Sequence, residues 1–165
     1  MDESAEAIEL YSISYFEFYN SLIYAGFADV SGNKILAMIE VGETEQTTYF
    51  KVLEMNGASA NYLSAVTSGW DGTLMATSYH ELNESFFGAL TLLDTKGLHV
   101  WTYTQNFGID NYFEWKNLEY RGLENKGCIC SQKSNGLSII IMHFEYNISG
   151  VLQSTMFEYL STTEK

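Results

Sequence analysis

The three histidines, His80, His99 and His143, come first in a search for chemistry, because imidazole binds metals and transfers protons. The spacings H-x-x-x-H and H-E-x-x-H, which place two imidazoles on one zinc ion, do not occur in the sequence. The sequence also lacks the G-x-S-x-G elbow, the P-loop and the dinucleotide-binding glycine fingerprint. Its 21 acidic residues could supply a carboxylate pair for glycoside hydrolysis, but their spacing singles out no pair. We therefore predict a protein that is not an enzyme and uses no cofactor.

The sequence gives equally little support for metal or thiol chemistry. Cys128 and Cys130 are the only cysteines, and alternate residues of a strand project from the same face. A disulfide between such close neighbours would be strained, so we expect two buried free thiols. Two cysteines do not make a zinc site, and Asp29 and Asn33 in "DVSGN" offer too few oxygens for a calcium loop. No metal site is predicted.

The charge of the chain excludes several partners. The net charge is −13, and the 8 basic residues include a single arginine, Arg121. A nucleic-acid surface needs clustered cations, so nucleic acid is not an expected partner. The longest apolar runs are far shorter than the ~20 residues of a membrane span. The start "MDESAEAIEL" is acidic, which predicts a tail over residues 1–10 and no secretory signal.

The compartment is left open by the sequence. Few lysines, one arginine and many Ser, Thr, Asn and Tyr residues favour the cell surface or exterior, whereas unpaired cysteines favour the cytoplasm. The balance leans slightly to the extracellular side. Two sequons, at Asn83 and Asn147, are candidate N-glycosylation sites.

Strand signals dominate the elements that must position these residues. Short runs rich in Tyr, Phe, Ile, Val and Thr are broken by glycine and asparagine every eight to twelve residues. The sequence has no proline, so turns must depend on Gly, Asn, Asp and Ser. At 165 residues the chain is predicted to be a single all-β domain over 1–165.

Three turns share one pattern, in which a strand end is followed by an acceptor side chain and, three residues later, by glycine. The pairs are Glu54 and Gly57, Asp94 and Gly97, and Asn147 and Gly150. A second glycine precedes each pair at nearly equal intervals, at Gly32, Gly72 and Gly127. The pattern predicts three antiparallel repeats of about four strands each, near residues 13–64, 65–105 and 110–161.

The stretch "LLDTKGLHVWTY", with Asp94, Gly97 and Trp101, resembles the strand–turn–strand unit of quinoprotein-like and kelch-like β-propeller blades. The resemblance implies a partial propeller fold and nothing about cofactors, because no ligand motif of those enzymes is present. The alternative is a closed β-sandwich or barrel of 10–12 strands. The continuous apolar runs at 35–39 and 138–142 favour sheets that are covered on both faces.

Three blades are too few to close a ring, since propellers have four to eight. The two terminal blades would then expose apolar faces, which usually mark association surfaces. We therefore predict a non-enzymatic structural or interaction module that self-associates as a homo-oligomer or filament, or binds another protein. The alternative is a glycan- or small-ligand-binding domain that uses exposed aromatic residues, with Trp70, Trp101 and Trp115 as candidate contacts.

Overall fold

The structure is a computed structural model. It describes residues 7–17, 20–30, 33–41, 47–52, 60–108, 113–133, 138–147 and 152–160. Among these residues no helix is long and apolar enough to cross a membrane.

The described residues form twelve strands in three antiparallel sheets of four. Sheet 1 contains β1 (Ala7–Phe16), β2 (Ser21–Val30), β3 (Asn33–Val41) and β4 (Thr47–Val52). Sheet 2 contains β5 (Ala60–Ser68), β6 (Leu74–Leu82), β7 (Ser85–Leu93) and β8 (His99–Gly108). Sheet 3 contains β9 (Phe113–Arg121), β10 (Lys126–Lys133), β11 (Ser138–Tyr146) and β12 (Leu152–Leu160).

Each sheet is a meander, because its strands pair in chain order. The prediction of an all-β chain with antiparallel sheets is confirmed, and none of the sheets in the described ranges closes into a barrel. Residues 7–10, which the sequence assigned to the acidic tail, are the start of β1. Sheet 2 begins at Ala60, inside the range that the sequence gave to the first repeat.

The turn that the sequence singled out, between β7 and β8, is held by one carboxylate. Asp94 Oδ1 accepts the backbone N–H groups of Lys96 and Leu98, each at 2.8 Å. Gly97 donates its N–H to the Asp94 carbonyl at 2.9 Å and has a φ of 72°. A positive φ is open to glycine because it has no Cβ, so Gly97 gives the chain the reversal that it needs here.

The first turn of every sheet also ends in a left-handed residue. Asn20, Gly72 and Asn125 have φ values of 50°, 80° and 54°, and each donates its N–H to the carbonyl three residues earlier. The three turns are nearly equally spaced along the chain. Asparagine tolerates this conformation better than most other side chains, so it replaces glycine in sheets 1 and 3.

The first strands of the sheets lie next to one another. The Val66 N–H of β5 donates to Ser12 Oγ of β1 at 3.4 Å, and Ser68 Oγ donates to the Tyr15 carbonyl at 2.9 Å. β5 also contacts β9. The sheets therefore pack in chain order, with sheet 2 between sheets 1 and 3.

A hydrophobic core lies between sheets 2 and 3. Its buried side chains come from the facing surfaces of both sheets: Met75, Leu90, Leu92, Tyr120, Ile129, Met142, Phe144 and Tyr146. Trp101 and Tyr103 of β8 pack against this cluster.

The residues from Leu74 to Ser78 of β6 are buried one after another, as expected of a strand covered on both faces. The apolar run at 138–142 behaves differently, because Ile139 is 48% exposed while Met142 is buried. The side chains of the other apolar run, 35–39, lie outside the described residues. The strand that is covered on both faces therefore lies in the middle sheet. This strand, β6, buries the polar residues Thr77 and Ser78 together with its apolar residues.

Candidate functional site

Each sheet has two faces, which we name by chain order. The preceding face points toward the sheet that comes earlier in the chain, and the following face points toward the sheet that comes later. In sheet 2, Val66, Leu74 and Ala76 lie on the preceding face, and Met75 and Leu90 lie on the following face. Sheet 2 is apolar on both.

The left-handed residues of the first turns place the three preceding faces in register. Two residues after Asn20, Gly72 and Asn125 stand Leu22, Leu74 and Gly127. These pair with Tyr15, Ser68 and Tyr120 of the first strands. One step further from the turn, the pairs are Ile13 with Tyr24, Val66 with Ala76, and Leu118 with Ile129. Matched positions in different sheets can therefore be compared directly.

This comparison separates sheet 1 from the other two sheets. Tyr120 is 3% exposed because sheet 2 covers it, whereas the matched Tyr15 is 53% exposed. Leu74 is 1% exposed, whereas the matched Leu22 is 37% exposed. Ile13 is 59% exposed. The preceding face of sheet 1 has the side chains of a packed face and no sheet in front of it within the described chain.

The following faces show the same contrast at the other end of the molecule. Three residues after the left-handed residue stand Ile23, Met75 and Cys128, and the first two are fully buried. Cys128 and its same-face neighbour Cys130 are only half-buried. On the same face, Ile139 is 48% exposed and Phe157 is 46% exposed.

We call the two uncovered surfaces the outer face of sheet 1 (Ile13, Tyr15, Leu22 and Tyr24) and the outer face of sheet 3 (Cys128, Cys130, Ile139, Ile141, His143 and Phe157). On the second surface, the His143 ring contacts the Phe157 ring edge-on, with centroids 6.0 Å apart. These two surfaces form the candidate functional site.

The Cys128 thiol on the outer face of sheet 3 lacks the lowered pKa of an activated nucleophile. Burial raises the pKa of the Cys128 thiol, and the neighbouring Cys130 and Glu119 act in the same direction because a thiolate beside them is disfavoured. Both cysteines are free. Among the described residues, no three His, Cys, Asp or Glu side chains are grouped closely enough to hold a metal ion.

A cavity of about 420 Å³ lies where the first strands of the three sheets approach one another. Its polar lining consists of Ser12, Ser14, Thr67, Asn117 and Glu119. The thiols of Cys128 and Cys130 line it as well, so the cavity borders the outer face of sheet 3. Its size lies in the range of small-molecule pockets.

A second cleft, of about 240 Å³, lies on the outer face of sheet 3 beside the β9–β10 turn. Its lining includes Arg121, Lys126, Cys128, His143 and Glu119. Arg121 lies 3.4 Å from Glu124, and its side chain is 70% exposed. Glu124 lines the cleft as well, and Lys126 lies 3.9 Å from Glu145, so each cation at this end of the face has an acidic partner.

A hydrogen-bonded network fastens sheet 2 to sheet 3. Thr73 Oγ1 donates to Asp71 Oδ1 at 2.7 Å and lies 2.9 Å from the Tyr120 hydroxyl, which is hydrogen-bonded to the Tyr146 hydroxyl. Asp71 also lies against Gly122, where an added Cβ atom would clash with the Asp71 carboxylate. The turn of one sheet therefore docks on the turn of the next.

Desolvation controls the titration of this network. Burial raises the pKa of Tyr120, and the nearby Asp71 carboxylate adds to the effect, while hydrogen bonds from Thr73 and Tyr146 oppose it. Burial also raises the pKa of Tyr146, with Tyr120 and Asp71 acting in the same direction. Both phenols stay neutral and serve as hydrogen-bond partners that align the two sheets.

The tryptophans that the sequence proposed as contacts are in different environments. Trp70 is 75% exposed in the β5–β6 turn. Trp101 is half-buried and packs edge-on against Tyr146, with ring centroids 5.2 Å apart. Trp115 belongs to β9, and its side chain lies outside the described residues.

The proposed turn and glycosylation residues are only partly described. Glu54, Gly57 and Gly150 lie outside the described residues. Asn147 is exposed and directly follows β11. Asn83 and Glu84, with φ values of 50° and 62°, form the two-residue β6–β7 turn, so the sequon at Asn83 sits in a tight hairpin.

Sequence reasoning missed the residues that align the sheets, Asn20 and Asn125. The available signal was an asparagine just before a strand, which a repeat pattern based on glycine alone does not include. The stretches "YFEFYN" from Tyr15 and "YFEWKN" from Tyr112 are alike in sequence but hold different places, because Tyr15 is near the end of β1 whereas Tyr112 precedes β9.

No protein-family model matches the chain, and no curated protein is significantly similar to it.

Proposed function

We propose that this chain is a non-enzymatic interaction module that self-associates through the outer faces of sheets 1 and 3. The proposal includes a partial propeller-like arrangement of the three sheets. The neighbouring first strands and the matching first turns support that arrangement.

The observation that carries the proposal is the contrast at matched positions. Tyr15 and Leu22 are exposed, whereas Tyr120 and Leu74 are buried by a neighbouring sheet. Full burial of a large apolar side chain contributes about 1.5–3 kcal/mol. Several half-exposed apolar side chains on each outer face therefore give self-association a substantial driving force, which the net charge of −13 opposes at low salt.

Size-exclusion chromatography with light scattering tests this proposal. We expect an oligomer at micromolar concentration that strengthens as salt rises, because salt screens the repulsion between acidic copies. At least one of Ile13→Asp and Phe157→Asp should weaken it by burying a charge in an apolar contact.

The matched control is Val100→Asp, because Val100 is 50% exposed but lies on sheet 2, away from both outer faces. It makes the same chemical change and should leave the oligomer unaltered. A wild-type chain that stays monomeric at every concentration and salt level contradicts the proposed function.

A second candidate function, glycan binding, is favoured by Trp70, which is 75% exposed in a turn and therefore open for stacking on a sugar ring. The 420 Å³ cavity does not supply this chemistry, because no aromatic residue lines it within the described ranges of the chain. Glycan-array binding that is lost in Trp70→Ala but kept in Leu123→Ala would support this function. Leu123 is a suitable control because it is an equally exposed turn residue.

A further inference from the structure

We infer that the self-association is heterologous, with the outer face of sheet 3 in one copy packed on the outer face of sheet 1 in a second copy. This inference rests on the proposed function and adds the polarity of the contact. It excludes contacts in which two identical faces meet.

The first argument comes from the two junctions inside the molecule. At each junction the following face of one sheet packs on the preceding face of the next, as Met75 and Leu90 do against Tyr120 and Ile129. A stack of three sheets built in this way ends with one uncovered preceding face and one uncovered following face. The two ends are therefore different surfaces that match each other.

The second argument comes from the residues at matched positions. Cys128 takes the position of the buried Ile23 and Met75, so it belongs to a surface that covers the next sheet elsewhere in the molecule. At the other end, Ile13 and Tyr15 take the positions of Leu118 and Tyr120, which pack on sheet 2. A junction between copies would repeat these pairings.

The third argument comes from the cleft beside the β9–β10 turn. Inside the molecule, the Tyr120 hydroxyl meets Thr73, the residue that follows the left-handed Gly72. The residue that follows the left-handed Asn125 is Lys126, which lines the 240 Å³ cleft. Because Tyr15 corresponds to Tyr120, the cleft is the place for Tyr15 of the second copy.

Two single variants and their mixture test the polarity. Ile13→Asp blocks the outer face of sheet 1, and Phe157→Asp blocks that of sheet 3. If the contact joins unlike faces, each variant alone should dissociate at least about a hundredfold more easily than the wild type. Mixed in equal amounts, the two should form a one-to-one heterodimer, because the intact sheet 3 of the first variant meets the intact sheet 1 of the second.

The result for each variant also separates the alternatives. If Ile13→Asp alone keeps the wild-type oligomer, the contact joins two sheet 3 faces, and if Phe157→Asp alone keeps it, the contact joins two sheet 1 faces. Either result overturns the inference while the proposed self-association stands. A monomeric wild type overturns both.

Thiol labelling gives an independent readout that does not depend on charged variants. Cys128 and Cys130 should react with a thiol reagent more slowly as the wild-type concentration rises through the oligomerisation range. In the mixture, protection should appear on the Ile13→Asp copy and be absent from the Phe157→Asp copy. Equal labelling of both copies, with a heterodimer present, would contradict the inference. If the acidic variants prove unstable, Tyr15→Ser and Ile139→Ser take their place, because they bring no charge into the contact. Each of them should weaken the oligomer.

Discussion

Sheet 2 and sheet 3 have the same strand order but different surroundings. Sheet 2 is covered on both faces, so β6 buries five consecutive residues, including Thr77 and Ser78. Among the residues that the structure describes, sheet 3 is covered on one face only, so Met142 of β11 is buried while Ile139 of the same strand is 48% exposed. The difference shows that burial in this molecule follows the position of a sheet in the stack more closely than the hydrophobicity of its strands.

The apolar side chains on the uncovered faces therefore differ from those expected of a surface that stays in solvent. A strand with one face in solvent normally alternates apolar and polar residues, so that its exposed face is polar. Residues 139–141 of β11 are three isoleucines in succession, which is the composition of a strand with two covered faces. The four predictions below test this comparison between the covered middle sheet and the uncovered ends.

The largest effect is expected from truncation of the core side chain Leu90. Leu90→Ala leaves a cavity between sheets 2 and 3 and should lower the free energy of unfolding by about 2–5 kcal/mol. Ile139→Ala, at a half-exposed position of sheet 3, should lower it by less than about 1 kcal/mol under monomeric conditions. Urea denaturation measures both, and similar losses would remove the distinction between the two sheets.

A somewhat smaller effect is expected at acid pH from His80, which is 4% exposed on the preceding face of sheet 2 and bonded to Ser78 Oγ at 2.9 Å. Burial lowers the pKa of His80 from 6.5 to about 4. Below pH 6.5 the unfolded chain binds the proton more readily than the folded one, so stability falls with pH. This histidine alone should remove about 3 kcal/mol between pH 6.5 and pH 4.

Stability curves of His80→Asn measure the contribution, because the carboxylates titrate alike in variant and wild type. The variant should lose less stability than the wild type over this pH range. His143→Asn, at an exposed position on the outer face of sheet 3, is the matched control for the loss of an imidazole. A His80→Asn curve parallel to that of the wild type would contradict the prediction.

The close contact between the turns of sheets 2 and 3 should make Gly122→Ala destabilising by about 1–3 kcal/mol, because the new Cβ meets the Asp71 carboxylate. Combined with Asp71→Ala, which removes that carboxylate, the loss should be smaller than the two single losses added together. Thermal unfolding of the four proteins gives the coupling. Strict additivity would mean that the turns do not press on each other.

The smallest effect is expected from Asp94, whose carboxylate caps the β7–β8 turn at the edge of the covered sheet. Asp94→Ala removes the acceptor of two backbone N–H groups and should reduce stability by about 1 kcal/mol. Asp94→Asn keeps an acceptor oxygen and should lose less. The same denaturation experiment measures both, and equal losses would show that the acceptor is not what holds the turn.

Much of the strand pattern could be predicted from sequence because it depends on local rules. Short runs rich in Tyr, Phe, Ile, Val and Thr, broken by glycine and asparagine, indicated an all-β chain with antiparallel sheets. The Asp94–Gly97 turn was recognised because a carboxylate and a glycine at this spacing satisfy the backbone locally. The repeat hypothesis itself stays a prediction.

The glycines that the sequence analysis used to mark equivalent turns do not occupy equivalent positions in the three sheets. Gly72 lies in the first turn of sheet 2, and Gly127 lies in β10 just after the first turn of sheet 3. In sheet 1 the left-handed position belongs to Asn20, whereas Gly32 falls after β2 in the sequence and lies outside the described residues. Glycine and asparagine both adopt the positive φ that these turns require, so a repeat defined by glycines alone does not align the three sheets.

The sequence alone determined the positions of the apolar residues, the places where the chain can turn and the strongly negative net charge. Each of these depends on single residues and their near neighbours. Only the tertiary structure decided which apolar residues are buried. Tyr15 and Tyr120 have the same side chain and matched positions, yet one is half exposed and the other covered, because a sheet lies in front of the second alone. Burial belongs to the pair of surfaces that meet, and no strand specifies it by itself.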